Sequence, residues 1–217
     1  MWSKSVSSVF VIVIVSLILG GCATSRSIID VPLPASAGFA NSNGKEVKIN
    51  SVTDKRVFEV SPPEPSTPSL DPSEEQGDKI KARAIARKRN SYGRGLGDML
   101  LPEGKTVDVL VGDALRQAFA ESGYKVLGAG EQTTANTYIV DARIDKLWSW
   151  MNPGFWGITL SSEIATDIEI KNGGMLARHK VAAKASDTFQ VGTESNWIVM
   201  MQRALKGYIE DLRLKVK

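Results

Sequence analysis

The sequence predicts an α+β fold, a two-layer sandwich with a mostly antiparallel sheet of about four to five strands and two helices on one face. Three observations predict it. Two stretches, near 106–122 and 195–214, carry apolar side chains at helical spacing. Residues 137–191 alternate apolar and polar side chains in three long runs parted by turn signals, the pattern of an antiparallel meander. The run 158–171 has one cleanly apolar face, which one-faced helices cover while the polar face is left to solvent or a partner.

Glu46 to Val52 alternates and reads as the first strand; Asp54-Lys55-Arg56 ends or bulges it, and Val57 to Val60 extends it. Residues 61–78 hold five of the nine prolines, Pro62, Pro63, Pro65, Pro68 and Pro72. That density excludes a regular element and predicts a long excursion, in part polyproline II. In the first helix Val107, Leu110, Val111, Ala114, Leu115, Ala118 and Phe119 form one apolar face, Thr106 suits the N-cap and Gly123 the stop. Tyr124 to Leu127 is a short strand. Thr137 to Trp148 or Trp150 is the next, with Tyr138, Val140, Ala142 and Ile144 on one face. Asn172-Gly173-Gly174 joins the 158–171 strand to a last one at 175–191 as a hairpin. Ser195 caps the final helix, whose stripe from Trp197 through Tyr208 to Leu212 reads as core.

The N-terminus has a different character. Lys4 and the α-amino group precede the apolar run Val9 to Leu19, which is too short to span a bilayer comfortably, and small residues lead to Cys22, the single cysteine. Leu19-Gly20-Gly21-Cys22 resembles the lipobox of bacterial lipoproteins. The resemblance implies cleavage before Cys22, a glyceride on its thiol and an acyl chain on its new amine. Three acyl chains make such an attachment effectively permanent. It also implies the outer membrane, because Ala23 stands where an Asp favours inner-membrane retention; the domain then lies in the periplasm. With Cys22 acylated no thiol remains for a disulfide, for thiol catalysis or for a metal site.

The expected organisation is a signal peptide at 1–21, a lipidated flexible tether at 22–44, and one domain at 45–217 with a Pro-rich and basic loop insertion at about 61–105. Ile28, Ile29, Val31 and Leu33 in the tether have the apolarity to dock on the domain. Removing residues 1–21 from the 217 leaves 196, enough for a self-sufficient core. The remaining 26 Lys and Arg against 24 Asp and Glu argue against a nucleic-acid binder.

Catalytic patterns are missing from the sequence. His179 is the lone histidine, no Gly-x-Ser-x-Gly elbow or His-Glu-x-x-His motif occurs, and the carboxylate pairs fall on an alternating strand face. The expectation is no enzyme, no metal and no cofactor beyond the lipid. Two segments are candidate binding surfaces. Trp148, Trp150, Phe155 and Trp156 crowd one turn; exposed, they suit a protein partner or the membrane interface, and folded back they cap the core. Arg87, Lys88, Arg89 and Arg94, beside glycines 93, 95 and 97, suit an anion such as a lipid or glycan head group, or a partner, or form a solvated helix and connector. The glycine spacing is neither a P-loop nor a dinucleotide fingerprint.

The lipobox, the Val-x-Ile-x-x-Val-x-Asp-Lys-Arg run from Val47 to Arg56, the helix ending in Gly123-Tyr124 and the meander with its terminal helix together resemble the YajG-type lipoproteins. The element order is also similar to that of the LptE type, by fold analogy alone. Both resemblances imply a binding or accessory role without catalytic residues. The expected function is therefore a non-catalytic outer-membrane lipoprotein that binds a protein partner in an envelope assembly. The alternative is a binder or carrier of an anionic lipid or glycan.

Overall fold

The structure, a computed structural model, describes residues 26–216 apart from 75 and 91; the expected signal peptide and Cys22 lie outside the described residues. The elements in chain order are β1 (Ser27–Ile28), β2 (Glu46–Asp54), α1 (Asp78–Arg83), β3 (Ala84–Arg89), β4 (Gly95–Leu100), α2 (Val107–Glu121), β5 (Lys125–Val126), β6 (Tyr138–Pro153), β7 (Ile158–Asn172), β8 (Met175–Phe189) and α3 (Glu194–Lys215).

Among the described residues, the expected sheet of four to five mostly antiparallel strands is corrected by an eight-stranded mixed sheet, and the expected two helices by three. Four of its pairings, β1–β4, β2–β5, β2–β6 and β3–β6, are parallel. Only β3–β4 and the β6–β7–β8 meander are antiparallel. The extra strands come from stretches whose sequence hides them. β3 is rich in arginine, β4 begins in glycine, and β1 lies in the expected tether. Residues 61–105 are thus not only a loop, and the described part of the expected tether is docked, with Ile29 and Val31 buried in the core.

The sheet forks. β6 pairs along one edge with β7 over its whole length. Along the other edge it pairs first with β2, up to Asp54 opposite Ile144, and then with β3, where Ala86 lies opposite Ser149. Between these two partners the β6 edge would be left bare. Lys55 N–H covers the Ile144 carbonyl (2.9 Å). The fully buried Arg56 side chain covers the rest. Its Nη1 donates to the carbonyls of Leu147 (2.9 Å) and Ala84 (2.6 Å), and its Nη2 to that of Lys81 (2.8 Å). Asp54 receives its Nε and Nη2 at 2.9 and 2.7 Å, so the buried cation is paired.

α2 and α3 cover one face of the sheet with the side chains that the helical periodicity selects, from Val107 to Phe119 and from Trp197 to Leu212. Thr106 occupies the N-cap position of α2 without a side-chain cap bond, and Thr193 rather than Ser195 caps α3. Gly123 ends α2 at φ +86°, where a Cβ would stand 2.4 Å from the Asn41 carbonyl oxygen, so the stop and the passing N-terminal arm both require glycine. That arm is pinned by Glu121, which accepts from Ala37 N–H (3.1 Å), Gln117 (2.9 Å) and Arg213 (2.9 Å).

Two predictions follow from the fork and the pin. Arg56→Met strands two buried carbonyls and Asp54, and should lower the unfolding free energy by about 3–5 kcal/mol. Lys55→Ala, at the exposed neighbour, should change it by less than about 0.5 kcal/mol; urea unfolding followed by tryptophan fluorescence separates the two. Burial pushes the Glu121 carboxyl up, but its hydrogen bonds from Gln117, Ser36 and Ala37 and the Arg213 charge outweigh this and hold it below the usual range. Its stabilising contribution is therefore complete above the unfolded value, about 4.3, and is lost as pH falls through the lower folded value. Hydrogen exchange at the Ala37 amide should accelerate in that window, and Glu121→Gln should flatten the dependence.

Candidate functional site

The aromatic cluster is divided by one residue. Alternation along β6 places Val140, Ala142 and Ile144 on the helix-covered face, but a bulge between Ile144 and Lys146 resets the parity. Beyond it Leu147 faces the helices, and Trp148 and Trp150 turn to the opposite face. There they join Leu70, Ala84 and Leu100 in a second apolar cluster, roofed by the proline-rich excursion. Trp148 Nε1 donates to the Pro65 carbonyl (3.2 Å), and Phe58 meets its ring edge-on at 5.9 Å. Lys146 and Lys184 lie over the Trp150 ring at 5.4 and 5.1 Å. The two tryptophans are core, whereas Phe155 and Trp156 at the β6–β7 turn are 91% and 83% exposed, their rings edge-to-face at 4.8 Å. The signal for this split stands in the sequence: two consecutive polar residues, Asp145 and Lys146, interrupt the alternation.

The basic candidates do not assemble into an exposed anion site. Arg87 and Arg89 are buried under the excursion. Arg89 donates to the Pro62 carbonyl (2.7 Å) and the Ser69 hydroxyl (2.8 Å), and burial followed by the Arg87 charge pushes its guanidinium down. Lys88 reaches Ser27 Oγ at 3.1 Å, and only Arg94 of the four is exposed. Gly95 makes room for this arrangement, since a Cβ there would stand 2.5 Å from the Arg87 guanidinium and 2.7 Å from the Asp71 carboxylate. Burial raises the Asp71 carboxyl, but Ser73 hydrogen bonds and the charges of Arg87 and Arg26 outweigh this and hold it low. Asp98, buried beside it, receives the Asp71 amide (2.9 Å) and Arg26 (3.0 Å); burial nevertheless pushes its carboxyl above the usual range. These residues cement the excursion and the N-terminal strand to the sheet.

The excursion covers only half of its face. On the other half a trough of about 680 Å³ runs across β2, β6, β7 and β8. Its register sets Thr53, Arg143, Asp167 and Lys180 in one row, and Ser51, Asp141, Glu169 and Arg178 in the next. Arg143 pairs with Asp167 and Asp145, Arg178 with Glu169 at 2.7 Å, and Lys171 with Asp141 at 3.1 Å. Burial raises the Asp141 carboxyl, but hydrogen bonds from Ser51, Asn50 and Lys171 outweigh this and hold it low. Alternating charge on a flat, uncovered sheet face suits a surface of complementary charge. The sequence reads these carboxylates as a solvated face and signals neither the role of Arg56 nor the trough. Half-buried His179 lies at the trough's edge, and no group of three His, Cys, Asp or Glu among the described residues is placed to hold a metal ion.

The division of the tryptophans is testable by unfolding. Trp148→Ala should cost about 3–5 kcal/mol, whereas Trp156→Ala should stay within about 0.5 kcal/mol of the parent. Equal costs would contradict the burial described.

No family model and no curated protein matches this chain. Solved structures of uncharacterised bacterial proteins are similar in part. One described only as an uncharacterized protein aligns with 89% of this chain and 99% of its own, at TM-score 0.47 and 8% identity. Protein XCC0632 from Xanthomonas campestris, of the DUF330 family, aligns with 87% of this chain and 92% of its own, at TM-score 0.44 and 10% identity. The hypothetical protein CT253 from Chlamydia trachomatis covers 78% of this chain and 96% of its own, at TM-score 0.38 and 8% identity. Scores below 0.5 at such identities do not establish a common fold and transfer no function.

Proposed function

We propose that this chain is a non-catalytic lipoprotein, anchored to the outer membrane through Cys22, whose periplasmic domain binds a protein partner of an envelope assembly. One observation carries the partner-binding part. A single sheet face is roofed by the chain's own proline-rich excursion over one half and left open, with laddered charges, over the other. The lipobox Leu19-Gly20-Gly21-Cys22 supports the anchor. The partner is a surface rich in both charge signs, because the rows offer carboxylates and cations side by side. The alternative, a binder of an anionic lipid or glycan through Arg87 to Arg94, is the weaker reading, because Arg87 and Arg89 are engaged inside the protein.

A photo-crosslinking residue at Thr53, in the trough, tests the proposal in cells. A discrete protein adduct that disappears in the double variant Arg143→Glu, Arg178→Glu is the expected outcome. Both substitutions are exposed, and the variant should unfold within about 1 kcal/mol of the parent, since surface pairs contribute little. A normally folded protein with no adduct at Thr53 overturns the partner reading. Metabolic labelling with palmitate reports the anchor separately, and Cys22→Ala should abolish it.

A further inference from the structure

Strand directions place several ends together. β3 runs parallel to β6, with Ala86 opposite Ser149, so the β3–β4 turn and the β6–β7 turn project from the same end of the sheet. β8 finishes there too, because Phe189 lies opposite Ile158. The exposed large apolar side chains at that end include Phe155 and Trp156 of the β6–β7 turn, Tyr92 (93% exposed) of the β3–β4 turn and Val191 (61% exposed) just after β8. The sequences of the three loops, 90–94, 154–157 and 190–192, hold no Asp or Glu, and their one charge is Arg94.

The first described residues lie toward the same end. β1 runs parallel to β4, with Ser27 opposite Met99, so Arg26, the first described residue, lies on the side of β1 toward the start of β4. Arg26 is fixed there by Asp98 and Glu74 at 3.0 and 2.7 Å. Cys22 precedes Arg26 by four residues, the interval that separates Asp98 from Arg94. Four residues reach at most about 14 Å. A lipid on Cys22 therefore holds the bilayer within reach of Tyr92, Arg94 and Trp156, and cannot hold it against the far hairpin, roughly 50 Å away along β7.

We propose that this end of the sheet is a second membrane contact, in which Tyr92, Phe155 and Trp156 seat in the interfacial zone of the phospholipid leaflet that carries the Cys22 lipid. This rests on the anchored-lipoprotein reading above. Tyrosine and tryptophan favour the headgroup level, where the ring body is apolar and its polar edge stays wet. Loops without carboxylates meet no repulsion from anionic headgroups, and Arg94 is drawn to their phosphates. The contact fixes orientation: the sheet stands on the leaflet, and the trough faces sideways into the periplasm.

The test uses the lipidated product that begins at Cys22, reconstituted in phosphatidylethanolamine–phosphatidylglycerol vesicles carrying brominated acyl chains. Cleavage before Cys22 removes Trp2, and Trp148, Trp150 and Trp197 are buried, so quenching isolates Trp156. The expected result is about a two-fold loss of the Trp156 emission, absent in Trp156→Phe, as an interfacial indole requires. Palmitate labelling of the same preparation separates the two readings. Labelled protein whose Trp156 is not quenched overturns the contact and leaves the anchor standing; unlabelled protein overturns the anchor and the contact with it. A photo-crosslinker at position 156 in cells that yields lipid adducts supports the contact, and one that yields a discrete protein adduct assigns this end to protein docking and overturns it.

Discussion

The Arg56 guanidinium at the fork is the contact on which the architecture rests. A long strand that changes partner along one edge exposes carbonyls at the change, and buried carbonyls without donors are costly. Arginine suits the place because its planar fork offers several donors in fixed directions. Here it serves Leu147, Ala84 and Lys81 at once while Asp54 neutralises it. With the change of partner satisfied, β3, β4 and β1 extend the sheet beyond the reach of β2, and the proline-rich excursion has a floor.

The bulge at Asp145 then gives the sheet its two characters. Before it, β6 shows the helices its even residues; after it, the odd ones. The face away from the helices therefore carries charges on one stretch and tryptophans on the next. Tryptophans need a roof, and the excursion is the roof; charges do not, and that stretch stays open. A chain with strict alternation through 144–148 would have turned Trp148 and Trp150 beneath α2 and α3 and taken the tryptophans from under the excursion.

Much of this was legible without coordinates. The stripes of α2 and α3, the 172–174 hairpin and the meander are signals of local periodicity, and local periodicity survives in sequence. The strands that escaped notice depend on distant partners. β3 looks like a solvated basic segment because Arg89 is buried through bonds to Pro62 and Ser69 and Arg87 through one to Ser69, 18 to 27 residues away in sequence. β4 looks like a connector because Gly95 is selected by the Arg87 and Asp71 side chains above it, not by a turn. β1 has two residues and no pattern at all. The aromatic candidates divided for a related reason: a bulge is one residue of irregularity, and composition does not register it. For the basic candidates, counting charges could not show which were committed to internal bonds.

The N-terminal arm also has a mechanical consequence. β1 joins the sheet through two residues, and the Ile29 amide to the Leu100 carbonyl adds one further bond (2.9 Å). A pull on residue 26 loads these bonds and the Arg26 ion pairs before it reaches β2, because β2 begins only at Glu46. Only when Ile29 and Val31 have also left the core and the Glu121 contacts have parted does the whole segment come free, to extend by roughly 65 Å at full stretch. The rest of the sheet, held by β6 and the Arg56 junction, lies outside that load path. Docked, the arm keeps the domain close to whatever holds its start; peeling it away exposes Ile29 and Val31, so the length it gains is set against lost core burial.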